Sequence, residues 1–279
     1  MLLFLSTDSD YPAGLTTKYP METIDKKLAI LIDGDNIPSA YVKEMMEEIA
    51  KYGNPTIKRI YGDWTRPGLT KWKDILLEHA IQPIQQYGYT IGKNATDSAM
   101  IIDAMDILYS SKVDGFCIVS SDSDFTRLAT RLREAGMAVY GMGEKKTPKP
   151  FIVACDKFIY IEILKKQPEK SKTPAVKPKK WEKIIPFSDL EAMSAPVLDT
   201  VDQSVIDLIR DTVSDLADDD GWAFLGDVGG LIQKKQPNFD PRNYGYNKLT
   251  PLLASTELFE IVERNDGKSR YKLIYVRSK

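Results

Sequence analysis

Leu28-Ala29-Ile30-Leu31-Ile32-Asp33-Gly34-Asp35-Asn36 is the stretch on which the fold turns. An unbroken apolar run that ends abruptly in two carboxylates and an amide reads as a strand buried on both faces. Such a strand delivers Asp33, Asp35 and Asn36 to the edge of the sheet where open α/β folds bind their ligands.

A second run has the same design: Gly115-Phe116-Cys117-Ile118-Val119 is followed at once by Ser120-Ser121-Asp122-Ser123-Asp124-Phe125. As parallel neighbours the two strands would end about 5 Å apart, so Asp33, Asp35, Asp122 and Asp124 would crowd one crevice. Like charges at that range raise one another's pKa unless a cation shares them. Oxygen donors of this kind suit a hard cation, Mg²⁺ or Mn²⁺.

Periodicity and turn residues fill in the rest of this half. Helices are expected over 39–51, 71–79, 95–110 and 125–135, and short strands over 56–61, 81–86, 137–142 and 158–161. Strands alternating with helices predict an α/β fold with a doubly wound, mostly parallel sheet. In the helix over 95–110, Ile101, Ala104 and Leu108 fall within roughly 40° of Asp97, whereas Asp103 and Asp106 turn away. Asp97 is thus a carboxylate on the apolar, sheet-facing side. It needs a partner there, such as a metal or the head of Lys93.

With 279 residues, 43% hydrophobic and 28% charged, the chain is globular and long enough for two ordinary domains. A net charge of −2 rules out a whole-chain basic field, so any nucleic-acid binding must come from local patches. Cys117, Cys155 and the single histidine, His79, cannot assemble a Cys/His zinc site, and this cysteine usage fits a reducing cytoplasm. The apolar start at 1–5 is too short for a signal-peptide core, and no span approaches the roughly 20 apolar residues of a membrane helix. Residues 1–23 read as a flexible extension, with Met21 as an alternative start.

Between 165 and 183 lysines and prolines dominate, which predicts an extended basic linker over 165–198. It would join two independently folded units, 24–164 and 199–279, either as a plain spacer or in contact with RNA phosphates. In the second unit Val205, Leu208, Ile209, Val213 and Leu216 mark an amphipathic helix, and further helices are expected over 225–235 and 244–254. A hairpin over 259–264 and 270–276, turning at Asn265-Asp266-Gly267, completes a small winged helix-turn-helix of the α+β class. That fold alone does not distinguish DNA, RNA or protein as its partner.

Carboxylates from two strand ends and one helix face suit metal-assisted attack of water on phosphorus. Neither a Ser-His-Asp nor a Cys-His arrangement competes, and no P-loop is present. Individual residues have plainer readings too. Asp35 and Asp124 fit helix N-caps, Asn36 fits a turn, and Ser120 and Ser121 could bond phosphate oxygens or only their own backbone.

Taken in order, Asp33-Gly34-Asp35-Asn36, Lys93-Asn94-Ala95-Thr96-Asp97 and Ser120-Ser121-Asp122-Ser123-Asp124-Phe125 resemble the NYN domain of the LabA-like group, relatives of the PIN-domain ribonucleases, over about 27–162. The resemblance implies a PIN-like fold and Mg²⁺- or Mn²⁺-dependent RNA cleavage. It carries Asp33, Asp97, Asp122 and Asp124 over as the catalytic, metal-binding set, supported by Asp35 and Asn36. Lys93, Ser120 and Ser121 are further candidates for support. Asp220-Gly221-Trp222-Ala223 and the run from Phe239 to Leu249 resemble the OST-HTH or LOTUS domain, which implies RNA binding, or a protein partner, through the tail. Arg242, Tyr244, Tyr246, Lys248, Lys234 and Lys235 are the candidate RNA contacts, with Tyr244 and Tyr246 equally readable as core.

The reading is therefore a ribonuclease acting on single-stranded RNA, with the tail supplying affinity. One alternative is a non-catalytic RNA-binding adaptor. Another is a haloacid-dehalogenase-like phosphatase, whose Asp-x-Asp loop is followed as a rule by Thr or Val where this chain has Asn36-Ile37. The oligomeric state is not written in these motifs.

Overall fold

Strand β1 spans Lys27–Asp33, and every residue from Leu28 to Asp33 is buried. Side chains alternate along a strand, so Ala29 and Leu31 enter one core cluster while Leu28, Ile30 and Ile32 enter another. Each such aliphatic burial contributes roughly 1.5–3 kcal/mol, and a strand apolar on both sides collects that gain only in the middle of a covered sheet. The computed structural model describes residues 26–88, 94–164, 198–265 and 272–279. The expectations for 1–23, Lys93, 165–197 and the turn at 266–267 lie outside the described residues.

Around β1 run β2 (Asn54–Gly62), β3 (Gln82–Gln85), β4 (Gly115–Val119), β5 (Ala138–Gly143) and β6 (Lys157–Tyr160), in the order β3-β2-β1-β4-β5-β6. Every pairing is parallel. Helices α1 (Val42–Ile49) and α2 (Lys73–Glu78) pack on the Leu28/Ile30/Ile32 side. On the Ala29/Leu31 side lie α3 (Ala95–Tyr109), α4 (Thr126–Glu134) and α5 (Lys149–Ala154). The chain winds outward from β1 through β2 and β3, then crosses back along α3 to start β4, so strand order reverses between β1 and β4. Helix α5 was not foreseen; at six residues it is too short for periodicity to announce.

The second unit holds α6 (Gln203–Leu216), β7 (Ala223–Phe224), α7 (Leu225–Lys235), α8 (Leu249–Thr256), β8 (Phe259–Asn265) and β9 (Lys272–Ser278). Its antiparallel sheet runs β7-β9-β8, and a core from Val205 to Val276 joins sheet and helices as a winged helix. The third helix begins later than the expected 244. Residues Pro241–Tyr244 form a 3₁₀ turn capped by Asp240, Gly245 is left-handed at φ 84°, and α8 starts at Leu249. Strand β7 was also unforeseen, being two residues long.

The two units touch along the β6 edge. The Phe158 backbone N–H donates to the Pro237 carbonyl at 3.0 Å, and Asn238 Nδ2 donates to Tyr160 Oη at 3.0 Å. Covering an outer strand in this way satisfies donors that would otherwise template aggregation. Lys145 Nζ meets Asp199 at 2.8 Å, and Arg242 reaches Glu48 on α1. Both cysteines are unpaired and buried, and no described helix is long and apolar enough to cross a membrane.

Candidate functional site

The register pairs Ile32 with Val119, so the residues that follow β1 and β4 emerge side by side where strand order reverses. Gly34 carries the chain over β2. Its N–H donates to the Tyr61 carbonyl at 2.9 Å, and a Cβ there would lie 2.9 Å from that same oxygen. Asp33 continues the parity of Ala29 and Leu31 and therefore faces the α3 side. It is 1% exposed and accepts from Asn36 Nδ2 at 2.6 Å, Ser120 Oγ at 2.8 Å and the Asp35 N–H at 3.2 Å. Burial raises its pKa, and the Asn36 and Ser120 hydrogen bonds offset part of that rise.

Asp97 enters from the first turn of α3, on the side that the helical phase assigns it. Burial, and then the charges of Asp33, Asp122, Asp124 and Asp35, push its pKa up to about 6. Asp122 caps the 3₁₀ turn Ser123–Phe125, accepting from the Asp124 N–H at 2.9 Å, while its own N–H donates to Ser120 Oγ at 3.0 Å. Asp124 is exposed and accepts from Asn94 Nδ2. Carboxylate oxygens of Asp97, Asp122 and Asp124 all lie within 4.8 Å of one another, the spacing of ligands around one cation. The donors are all hard carboxylate oxygens, so the three could hold a divalent cation. Asp33, expected as a fourth ligand, lies outside that group of three, and its oxygens accept from Asn36, Ser120 and the Asp35 amide.

The remaining candidates divide by what they touch. Asp35 is exposed and accepts from Thr96 Oγ1 at 3.3 Å. Ser121 Oγ accepts from the Glu144 N–H at 2.9 Å, so both serine hydroxyls bond protein groups. Asn94 and Thr96 stand in the motif that opens α3, and each bonds one of the aspartates, Asp124 and Asp35 respectively. Asn94 stands at the N-cap position of α3 and does not cap it with its side chain, which is the sign that it serves Asp124 instead.

In the second unit two expected RNA contacts are used internally. Arg242 Nη1 and Nη2 donate to Glu48 at 2.8 and 3.0 Å, and its Nε and Nη2 donate to Asp240 at 2.9 and 2.6 Å. Tyr244 is buried against Phe239, with ring centroids 5.8 Å apart. Tyr246 is half-buried beside the same core, and Lys234, Lys235 and Lys248 are exposed, Lys235 pairing with Asp215 at 2.6 Å.

Family comparison separates the same two units. Residues 27–162 match the NYN domain, and residues 196–271 match the OST-HTH/LOTUS domain. Among solved structures, a protein of unknown function from Vibrio parahaemolyticus is 20% identical over 51% of this chain and 96% of its own, with a TM-score of 0.42. An uncharacterized protein from Nitrosomonas europaea is 31% identical over 40% of this chain and 90% of its own, with a TM-score of 0.24. No match is found among curated proteins.

Proposed function

We propose that this chain, which carries an NYN domain at 27–162 and an OST-HTH/LOTUS domain at 196–271, is a metal-dependent ribonuclease that hydrolyses RNA phosphodiesters. NYN is a nuclease-type domain and OST-HTH domains bind RNA, which supports RNA as the substrate class. The observation that carries the reading is the convergence of Asp97, Asp122 and Asp124 at the β1/β4 edge.

In this reading those three carboxylates hold Mg²⁺ or Mn²⁺. A divalent cation there supplies positive charge to the phosphodiester and acidifies water. Asp33, locked by Asn36 and Ser120, ties the loop after β1 to the loop after β4 that presents both Asp122 and Asp124, and adds negative charge behind Asp97. Asn94 orients Asp124, and Thr96 ties the Asp35 loop to α3. Without a cation the crevice repels a phosphate backbone, so the same carboxylates that provide chemistry also gate access to it.

Mn²⁺ titration followed by thermal unfolding tests the site. At a hundredfold excess over Kd, a single site stabilises the folded chain by about 2.7 kcal/mol. The wild type should show this and Asp122→Asn should lose it. No stabilisation of the wild type, or equal stabilisation of both, would contradict the reading and favour a metal-free RNA-binding adaptor.

A further inference from the structure

The outward face of the C-terminal sheet is aromatic, where a solvated sheet face is ordinarily polar. Register establishes which residues share it. Phe224 pairs with Tyr275, Val262 also pairs with Tyr275, and Glu260 pairs with Arg277, whereas Ala223 and Ile261 pair with Val276. Ala223, Ile261 and Val276 belong to the core, so alternation sends Phe224, Val262, Arg264, Tyr275 and Arg277 to the other side.

Trp222 joins that side through a built turn. Gly221 is left-handed at φ 80°, the Trp222 N–H donates to Asp218 Oδ1 at 2.7 Å, and the Asp218 N–H donates to the Trp222 carbonyl at 2.8 Å. The Arg264 guanidinium then lies 5.0 Å from the Trp222 ring and 4.7 Å from the Tyr275 ring, and that of Arg277 lies 4.6 Å from Trp222. Phe224 and Tyr275 meet at 5.8 Å between centroids. The three rings are half-buried, Arg264 is exposed, and Val262 is 40% exposed.

Resting on the ribonuclease reading above, we propose that this aromatic and arginine face is where single-stranded RNA stacks its bases. Unpaired bases present π faces, and aromatic rings and guanidinium planes on an open sheet are the surfaces that receive them. The two guanidiniums complement a polyanion. Glu260 pairs with Arg277 at 2.5 Å, so the face offers stacking more than net charge. Arg242 and Tyr244, the more obvious contacts by sequence, are occupied by Glu48, Asp240 and the core.

The test uses the full chain in EDTA, which prevents cleavage, and a short unstructured fluorescein-labelled RNA read by anisotropy across a salt series. Trp222→Ala and Tyr275→Ala should each weaken binding by about tenfold or more, with the salt slope unchanged because no phosphate contact is removed. Tyr275→Phe, which keeps the ring, should bind as the wild type does. Arg264→Lys keeps charge and fold but removes the plane, and should weaken binding by about two- to fivefold; it decides the matter if an alanine variant fails to fold. Wild-type affinity in Trp222→Ala, Tyr275→Ala and Arg264→Lys would overturn this face while leaving RNA binding intact. A full chain that binds no RNA would overturn both this proposal and the substrate class it rests on. A wild-type dimer that Trp222→Ala converts to a monomer would make the face a contact between copies and overturn the proposal.

Discussion

Burial raises the pKa of both Asp33 and Asp97; hydrogen bonds from Asn36 and Ser120 offset part of the rise at Asp33, whereas neighbouring carboxylates add to it at Asp97. The two therefore respond oppositely to substitution near them. Asn36→Ala removes the 2.6 Å donor from a buried carboxylate and should destabilise the folded chain by about 1–3 kcal/mol, read by urea unfolding. Asp124→Asn removes a charge that repels Asp97 and should slightly stabilise the metal-free chain, by roughly a few tenths of a kcal/mol after solvent screening, while abolishing the gain from Mn²⁺. Loss of stability in Asp124→Asn without metal would mean that its bond with Asn94, rather than repulsion, dominates there. The places of Asp33 and Asp97 are legible in the sequence because an apolar run and a helical phase each point to a face. The part played by Asn94 is not, because an asparagine opening a helix reads as its cap, and Asp124 lies 30 residues further along the chain.

At the level of elements, α1 and the turn before α8 are joined by a buried ion pair. Glu48 is 3% exposed. Burial would raise its pKa, but hydrogen bonds from Arg242 and Lys51 outweigh that and hold it at about 2, against 4.5 unperturbed. A carboxylate depressed by folding stabilises fully above its unfolded pKa and loses that contribution as pH falls through the folded one. The stability difference between the wild type and Glu48→Gln should thus be constant above pH 4.5 and shrink toward pH 2, by about 3 kcal/mol in all, measured by calorimetry. Arg242→Ala, which leaves Glu48 to Lys51 and Tyr52, should cost about 3–5 kcal/mol at neutral pH. A difference that does not vary with pH would remove the pair from the account. Nothing local in the sequence announces this contact, since the partners are 194 residues apart. Local signals did announce β1, β4, α3, α6 and α7, whose patterns are long or unbroken. They failed at Gly245, where a left-handed residue splits what reads as one helix.

Over the whole molecule, 40 acidic and 38 basic residues nearly balance, so function depends on where the charges sit. Acidic groups gather at the β1/β4 edge, while two arginines lie over the aromatic sheet of the C-terminal domain. The contacts along β6 and at Glu48 put the two domains against each other, so we expect the chain to act as a docked pair rather than as two units on a tether. In this account the acidic domain supplies chemistry, and its partner domain supplies hold on the RNA. The ends of the cleaved RNA test that chemistry most directly. With Mn²⁺ and a labelled single-stranded RNA, the full chain should leave 5′-phosphate and 3′-hydroxyl ends, the products of attack by water, and Asp122→Asn should leave the RNA intact. Ends bearing 2′,3′-cyclic phosphate, or the same cleavage by Asp122→Asn, would contradict it.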